Sequence, residues 1–492
     1  MLPKRAQLSQ LPTHWDLLVI GGGITGAGVA LVASQLGIRV LLVEQKDYAW
    51  GTSSRSSKMV HGGLRYLSQG NLRLTRESLR EREIYLKELP HLVKRVPYLF
   101  PISKGQFPGR RIMGIALWLY DKLAGVNERR WLNTAEFNEL WPSYTNPNAL
   151  GAYCYSDALT DDSRLVMRVL QEASANGAEL INYVRAEDIK LHNGTRQVTL
   201  VDAHTNDTHT VYAQQVINAT GAWADSLSGT ANKIRPLRGS HLVIPTNLLP
   251  ANSCLTLLHP RDKRPVFIFP WQGSTLIGTT DHDHQDSLQI EAQASHNEIE
   301  YLLEVVKTVF PKNTVNTSDI SSVQAGVRPV ISSGKAKKPS QERREHLVWR
   351  GAGRINVSGG KLTTFRVIAL DALKEAGFID GPTHRRLYKQ GHLFEHSITW
   401  PKGLGDPLAP APSQNELLAW WQWCIRHEQV QHLDDLLLRR THVGNHQQDG
   451  GHALLLEHAP WLQQELGWSK QRWQQELTRY QAIWQQFYQI QK

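Results

Sequence analysis

The first sustained apolar run, Leu-Leu-Val-Ile at residues 17–20, is short, ends β-branched and stops at glycines. That is the pattern of a strand buried in a parallel sheet. An Ala/Val/Leu-rich segment that reads as a helix follows, and Arg-Val-Leu-Leu-Val-Glu, ending at residue 44, repeats the strand signal. Residues 72–89 set Leu and Ile among Arg and Glu at helical spacing until Pro90 stops them. Residues 109–123 form an apolar helix with a basic start, and residues 161–168 open another, with Asp162 or Ser163 as candidate cap. Residues 177–210 are strand-rich, and an apolar strand from Val216 ends in Ala-Thr-Gly. Alternating runs at residues 234–245 and 266–281, the latter around Trp271-Gln-Gly-Ser, predict an antiparallel sheet. Helix returns at residues 298–309 and after the glycines at 359–360. Beyond about Gly381 the composition shifts, through a Pro/Gly-rich linker at 401–412, to a polar helical remainder that includes Trp420, Trp421 and Trp423.

At 492 residues the chain is long enough for two or three domains. The pattern places it in the α/β class. A hydrophobic fraction of 41% and a charged fraction of 20% exclude a disordered chain. The net charge of +10 favours an anionic partner: nucleic acid, an acidic lipid surface or a phosphorylated substrate. No Lys/Arg block reads as a nucleic-acid arm. Cys154, Cys254 and Cys424 form no CxxC pair, which fits a reducing cytoplasm. No apolar leader is visible at residues 1–15, and no run approaches the ~20 apolar residues that span a bilayer.

The glycines carry the first chemical signal. Gly21, Gly23 and Gly26 have G-x-G-x-x-G spacing, with Gly22, Ile24 and Thr25 between them. This spacing allows a tight turn, a close approach to a pyrophosphate, and a helix packed hard on its strand. The helix start suits phosphate, and Glu44 stands where an acid holds a ribose hydroxyl pair. The next segment, with Thr52, Ser53, Ser54, Ser57 and Lys58, is dense enough in donors to wrap phosphate and ribose. His61, Gly62, Gly63, Arg65 and Tyr66 then surround a glycine pair. Ala219-Thr220-Gly221 puts a second glycine turn at a strand's carboxyl edge, where open α/β sheets bind ligands. His241, Arg328 and Lys361 lie in glycine-rich settings, and Arg344 in a charged run. Lys361 belongs to Gly359-Gly360-Lys361-Leu362-Thr363, a glycine turn opening a helix. Asp281-His282-Asp283-His284 looks metal-like but lacks a third distant ligand, so a solvated loop is expected and no metal site is assigned. No serine triad or P-loop is present.

These motifs occur together and in order: the glycine turn, Thr52-Ser-Ser-x-Ser-Ser-Lys58, His61-Gly-Gly-Leu-Arg-Tyr66, Ala219-Thr-Gly, Gly239-Ser-His241, Gly278-Thr-Thr-Asp281, Gly326-Val-Arg-Pro329 and Gly359-Gly-Lys-Leu-Thr-Thr364. The set resembles the FAD-dependent aerobic glycerol-3-phosphate dehydrogenases of the glycine/D-amino-acid oxidase superfamily. The resemblance covers roughly residues 14–375. It continues into His427-Glu-x-Val, Leu433-Asp-Asp-Leu and Arg439-Arg-Thr441, and departs from the family between Thr383 and Cys424. It implies a Rossmann-like FAD-binding domain (residues 1–75, 150–232 and 325–380), a mixed or antiparallel-sheet substrate domain (76–149 and 233–324) and a helical C-terminal domain (381–492).

It also implies FAD as cofactor, held by Gly21 to Gly26, Glu44, Thr52, Ser53, Ser54, Ser57, Lys58, His61 to Gly63, Ala219 to Gly221 and Gly359 to Thr363. The family's active-site groups map to Arg65, Tyr66, His241, Arg328, Arg344 and Lys361. The expected substrate is sn-glycerol 3-phosphate, oxidised at C2 to dihydroxyacetone phosphate with hydride transfer to flavin N5. The base is His241 or His61, and the electrons go on to a quinone. The expected location is the cytoplasm, peripheral to the inner face of the cell membrane, with a homodimer possible. The helix at 110–123 either lies in the lipid interface or packs in the second domain. Two rivals stand: an FAD-dependent oxidoreductase of another 2-hydroxy or amino acid, and a non-catalytic flavoprotein binding nucleic acid, for which no RNA or DNA motif speaks.

Overall fold

The computed structural model describes residues 1–68, 70–229, 233–312, 315–334, 342 and 345–490, without the side chains of Arg65 and Ser68. Its organising strand is His14–Ile20, fully buried over its last four residues. Val40–Glu44 pairs parallel on one side and Thr208–Asn218 on the other. Glu179–Asn182 and Arg354–Gly359 extend the parallel array outward. His346–Gly351 closes one edge antiparallel, and the hairpin Val184–His192 with Thr195–Asp202 brings the sheet to eight strands. Sequence-successive strands lie to one side of His14–Ile20 and a distant strand to the other. The glycine turn therefore opens at a topological switch point, where such sheets bind ligands. Helices Ile24–Gln35, Asp162–Ala175 and Phe365–Glu375 share one core with this sheet, through Val29, Leu31, Leu165, Val169, Ile368 and Leu373.

The second sheet has ten strands. Val93–Ser103 runs antiparallel to Ala149–Thr160, and Ile234–Pro245 to Ser322–Ile331, with His241 opposite Gln324. Helix His296–Val309 covers one face over Leu99, Trp141 and Ile268. Helices Leu72–Glu88 and Arg110–Ala124 cover the other over Tyr98, Phe100 and Tyr155. Met59–Val60, Ala149–Thr160 and Ser322–Ile331 join this second sheet, whereas the resemblance implies that residues 1–75, 150–232 and 325–380 belong with the first. Local patterning reports that a segment is a strand; it does not report which distant ladder takes it.

Asp161, not Asp162 or Ser163, caps its helix by accepting the Arg164 amide proton at 3.0 Å. Asp162 is instead buried against Lys58. The C-terminal helices, among them Gln414–His427 and Lys470–Phe487, enclose Trp420, Trp421, Trp473 and Trp484. Among the described residues no helix is long and apolar enough to cross a membrane.

Candidate active site

The glycine turn is shaped by contacts a side chain would break. Gly21 has φ +114°, and a Cβ there would lie 2.7 Å from the Ala219 carbonyl oxygen. Gly23 caps helix Ile24–Gln35 with no side-chain oxygen of its own, and Ser53 Oγ accepts the Ile24 N–H at 3.0 Å. Glu44 accepts the Gly22 N–H at 2.6 Å and the Lys46 N–H at 2.9 Å; burial pushes its carboxyl above the usual range.

Around this turn lies a cavity of about 440 Å³. Its wall includes Gly21, Gly23, Ile24, Thr25, Glu44, Thr52, Ser53, Ala219, Thr220, Gly221, Gly359, Gly360, Lys361 and Leu362. Gly22 and Gly26 shape the turn without lining it: a Cβ at Gly26 would overlap the Gly21 carbonyl oxygen. Ser54 and Lys58 do not reach this wall either. The resemblance implies Lys58 as a cofactor ligand, but it is fully buried, with Nζ 2.7 Å from Asp162 Oδ1 and donating to the Ser54 carbonyl at 2.6 Å. An acid far along the chain takes the charge that the hydroxyl-rich string offered to phosphate.

A second cavity of about 910 Å³ shares Thr52, Ser56, Pro329, Gly360, Lys361 and Leu362 with the first. Ser57, His61, Gly63, Tyr66, Arg264, Thr279, Arg328, Lys361 and Thr363 line its polar part; Phe100, Phe107, Ile112, Ile115, Leu119 and Phe267 line its apolar part. Arg328 donates to Asp281 Oδ1 at 2.9 Å and to Thr279 Oγ1 at 2.7 Å. Arg264 Nη2 stands 3.0 Å from Asp281 Oδ2. Lys361 donates to Ser78 Oγ at 2.7 Å and lies 3.8 Å above the Tyr66 ring; burial lowers its pKa to about 7, against the pull of Glu77 and Asp157.

The two histidines are not equivalent. His61 is on the wall, and burial lowers its pKa to about 4, with Asp157 opposing. His241 sits one side chain back, its Nε2 2.9 Å from Ser57 Oγ; burial, with Arg328 and Lys58 nearby, lowers its pKa to about 3. The structure thus brings His61, Tyr66, Arg328 and Lys361 to one wall. Gly62 lies just behind it. Arg65 falls in helix Leu64–Ser68, but its side chain, like all of Arg344, lies outside the described residues.

Sequence reasoning missed Arg264, Asp157 and Ser78. Arg264 hides in the basic string Arg-Asp-Lys-Arg at 261–264, which reads as a solvated turn; only its pairing with Asp281 distinguishes it. The metal-like Asp281–His284 string resolves into ion pairs, Asp281 with Arg264 and Arg328, and Asp283 with Arg235 at 2.6 Å. Among the described residues no cluster of metal-ligating groups is found.

The family model described as FAD dependent oxidoreductase matches residues 16–364, the part that carries both cavities. The chain belongs to this family. Its cofactor is FAD, and the first cavity fits that group: a glycine turn, a helix start whose N-cap is a glycine, and Glu44 on the wall, at the switch point of the sheet. A second match, the C-terminal domain of alpha-glycerophosphate oxidase, covers residues 399–473. The aerobic glycerol-3-phosphate dehydrogenase of Staphylococcus aureus (strain MRSA252) is 37% identical over 369 residues, 73% of this chain and 66% of that protein's length. The chain superposes on the glycerol-3-phosphate dehydrogenase of Bacillus halodurans complexed with FAD with a TM-score of 0.71 and 26% identity, covering 96% of this chain and 94% of the other. FAD-bound L-alpha-glycerophosphate oxidase of Mycoplasma pneumoniae gives a TM-score of 0.59 at 20% identity over 74% of this chain and 95% of the other, a likeness of fold alone.

Proposed function

We propose that the protein oxidises sn-glycerol 3-phosphate to dihydroxyacetone phosphate and hands the electrons to a quinone while lying peripherally on the inner face of the cell membrane. The observation that carries the reading is the convergence of Arg264, Arg328 and Lys361 on the wall of a cavity that adjoins the FAD groove. A phosphate dianion rewards such a cluster: each charge-assisted hydrogen bond is worth roughly 1.5–3 kcal/mol. The names of the staphylococcal and Bacillus relatives point the same way.

When bound, FAD supplies the two-electron acceptor for the hydrogen leaving C2. The protein's part is positional and acid–base. Arg264 and Arg328 hold the phosphate from the side of Asp281. His61, which stands on the wall, takes the hydroxyl proton; His241, behind Ser57, is the less direct candidate. Lys361, shared by both cavities, stabilises negative charge that develops at their junction.

The apolar part of the second cavity suits a quinone ring. The exposed face of helix Arg110–Ala124, with Ile112, Ile115 and Trp118 beside Phe107, suits a lipid interface, while Met113, Leu117 and Tyr120 on the opposite face are buried. The buried face fits the packed alternative for this helix, and the exposed face is the one the lipid reading would use. The test is anaerobic stopped-flow mixing: glycerol 3-phosphate should bleach the flavin band at a resolvable rate, whereas 2-hydroxy and amino acids should not. Bleaching by the latter alone would overturn the substrate assignment.

A further inference from the structure

Behind the second cavity lies a buried carboxylate that the reaction as described does not use. Asp157, on strand Ala149–Thr160, is 3% exposed and contributes to the cavity wall. It accepts hydrogen bonds from three elements. The Gly62 N–H donates to Oδ1 at 3.2 Å, Arg82 Nη1 at 2.6 Å, and the Tyr120 hydroxyl lies 2.9 and 2.8 Å from its two oxygens. Arg82 is itself fully buried and also donates to the Ser156 carbonyl at 2.8 Å. Gly62 is seated tightly in this arrangement: a Cβ would lie 2.6 Å from the Tyr120 oxygen and would collide with Leu79. The residue before Gly62 is His61, whose own N–H donates to Thr363 Oγ1 at 3.3 Å. Two backbone anchors therefore set the direction of the His61 side chain, and one of them is a carboxylate.

We propose that Asp157 is a positioning residue: held by Arg82 and Tyr120, it fixes the turn that carries His61 and supplies the counter-charge when that imidazole takes the substrate's hydroxyl proton. The proposal rests on the reading of His61 as proton acceptor. In that step the substrate O–H bond breaks and an N–H bond forms on His61. The oxygen's electron pair becomes the second bond of the ketone as the C2 hydrogen leaves with its own pair to the acceptor named above. The imidazolium so formed is half-buried on the cavity wall, and a cation withdrawn from water is costly without a nearby anion. The charged groups that bear on His61 among the described residues are Asp157, Lys361 and Arg82; Asp157 favours the cation, and Lys361 and Arg82 oppose it. Removing the carboxylate leaves both opposing charges in place.

The experiment uses the FAD-loaded full-length protein. Asp157→Asn should slow anaerobic flavin reduction by glycerol 3-phosphate about 10- to 100-fold, while FAD affinity and the half-saturating substrate concentration stay within about 3-fold. The acid limb of its pH–rate profile should move to lower pH. Tyr120→Phe, which frees the carboxylate of one donor, should move that limb to higher pH, and Asp157→Glu should recover part of the rate. A merely structural role would shift both limbs the same way or neither. The proposal is overturned by a reduction rate in Asp157→Asn within about 2-fold of wild type, by a parallel loss of FAD affinity, or by limbs that move together. If Asp157→Asn does not fold, the direction of the Tyr120→Phe shift decides. Should the wild-type flavin not respond to glycerol 3-phosphate, the substrate assignment has failed. The titration of His61, followed by NMR of the histidine-labelled protein without substrate, then decides on Asp157 alone: it must fall in Asp157→Asn and rise in Tyr120→Phe.

Discussion

Two of the places where this molecule buries charge are built in opposite ways. At the seam between the C-terminal helices and the first sheet, cations meet carboxylates in a closed array. Arg439 meets Asp47 at 2.6 Å, Asp434 at 2.8 Å and Asp435 at 2.6 Å. Arg440 meets Asp47 at 2.7 Å and Glu428 at 3.4 Å, and Arg164 meets Glu428 at 2.5 Å. At the cavity, Arg264 and Arg328 converge on Asp281, and Lys361 rests on a hydroxyl and a tyrosine ring. The seam gives each of these guanidiniums a carboxylate partner from another part of the chain and so ties the C-terminal helices to the first sheet. The cavity keeps positive charge in a low-dielectric wall, which is worthwhile where an anion is to be bound.

The sharpest way to break this contrast is to remove a seam acid. Asp47 takes hydrogen bonds from both Arg439 and Arg440, so Asp47→Asn leaves two buried guanidiniums short of a counter-charge. We expect a loss of roughly 3–5 kcal/mol in denaturant unfolding. Burial raises the Asp47 carboxyl, but Arg440 and Arg439 outweigh it and hold the group below its usual range. Asp161, beside His442, is likewise held at about 2 despite burial. For carboxyls lowered on folding, the stabilisation is full above about pH 4 and is lost as pH falls toward 2. The wild-type protein should therefore lose stability across that window, and Asp47→Asn should lose less there. Equal acid sensitivity would remove Asp47 from the account.

How much of this contrast was legible in the sequence follows from distance along the chain. The glycine turn, Glu44 and the strands around them are local patterns, and they form as the spacing predicts. Arg328 and Lys361 were found through motifs, and both stand on the cavity wall. Lys58 looked like a phosphate ligand because its partner, Asp162, lies in another element. Asp157 and Arg264 were invisible for the same reason: each acquires meaning only from groups that the fold brings to it. The seam pairs Asp47 with Arg439 and Arg440 from opposite ends of the chain, beyond the reach of any window of periodicity.

The cavity side of the comparison is tested by Lys361→Met, which should give effects of opposite sign on activity and stability. Flavin reduction should fall about 100-fold, with FAD affinity much less affected, if the ammonium stabilises developing charge. Equal losses in both would sink that role. Stability should rise. Burial lowers the Lys361 pKa to about 7 from the ordinary 10.5, so the folded state resists a proton that the unfolded state accepts. The destabilisation is full below about pH 7 and is relieved as pH climbs toward 10.5. The methionine variant should therefore exceed wild type by a few kcal/mol near pH 6, with the gap closing in alkali. A seam cation should show no such gain.

Arg328 should give a smaller and more specific effect. Arg328→Lys keeps the charge but loses the forked contact to Asp281 and Thr279. We expect the half-saturating concentration of glycerol 3-phosphate to rise about 10- to 100-fold, with FAD affinity unchanged. A variant that instead loses FAD would move Arg328 from substrate holding to cofactor support.

The smallest effect on fold and solution turnover is expected outside both regions, and it isolates the lipid contact. Trp118 is 45% exposed on helix Arg110–Ala124 and lines neither cavity. Trp118→Glu should change stability by no more than about 0.5 kcal/mol, as surface substitutions do, and should leave flavin reduction in solution as it was. Binding to acidic vesicles should nevertheless drop several-fold, because a ring suited to the interface is replaced by a charge that the headgroups repel. Wild-type binding should weaken with added salt, since Arg110 and Arg111 begin the same helix. If Trp118→Glu and wild type bind vesicles equally, the exposed apolar face does not meet lipid. The +10 charge would then have to find its anionic partner in the cavity alone.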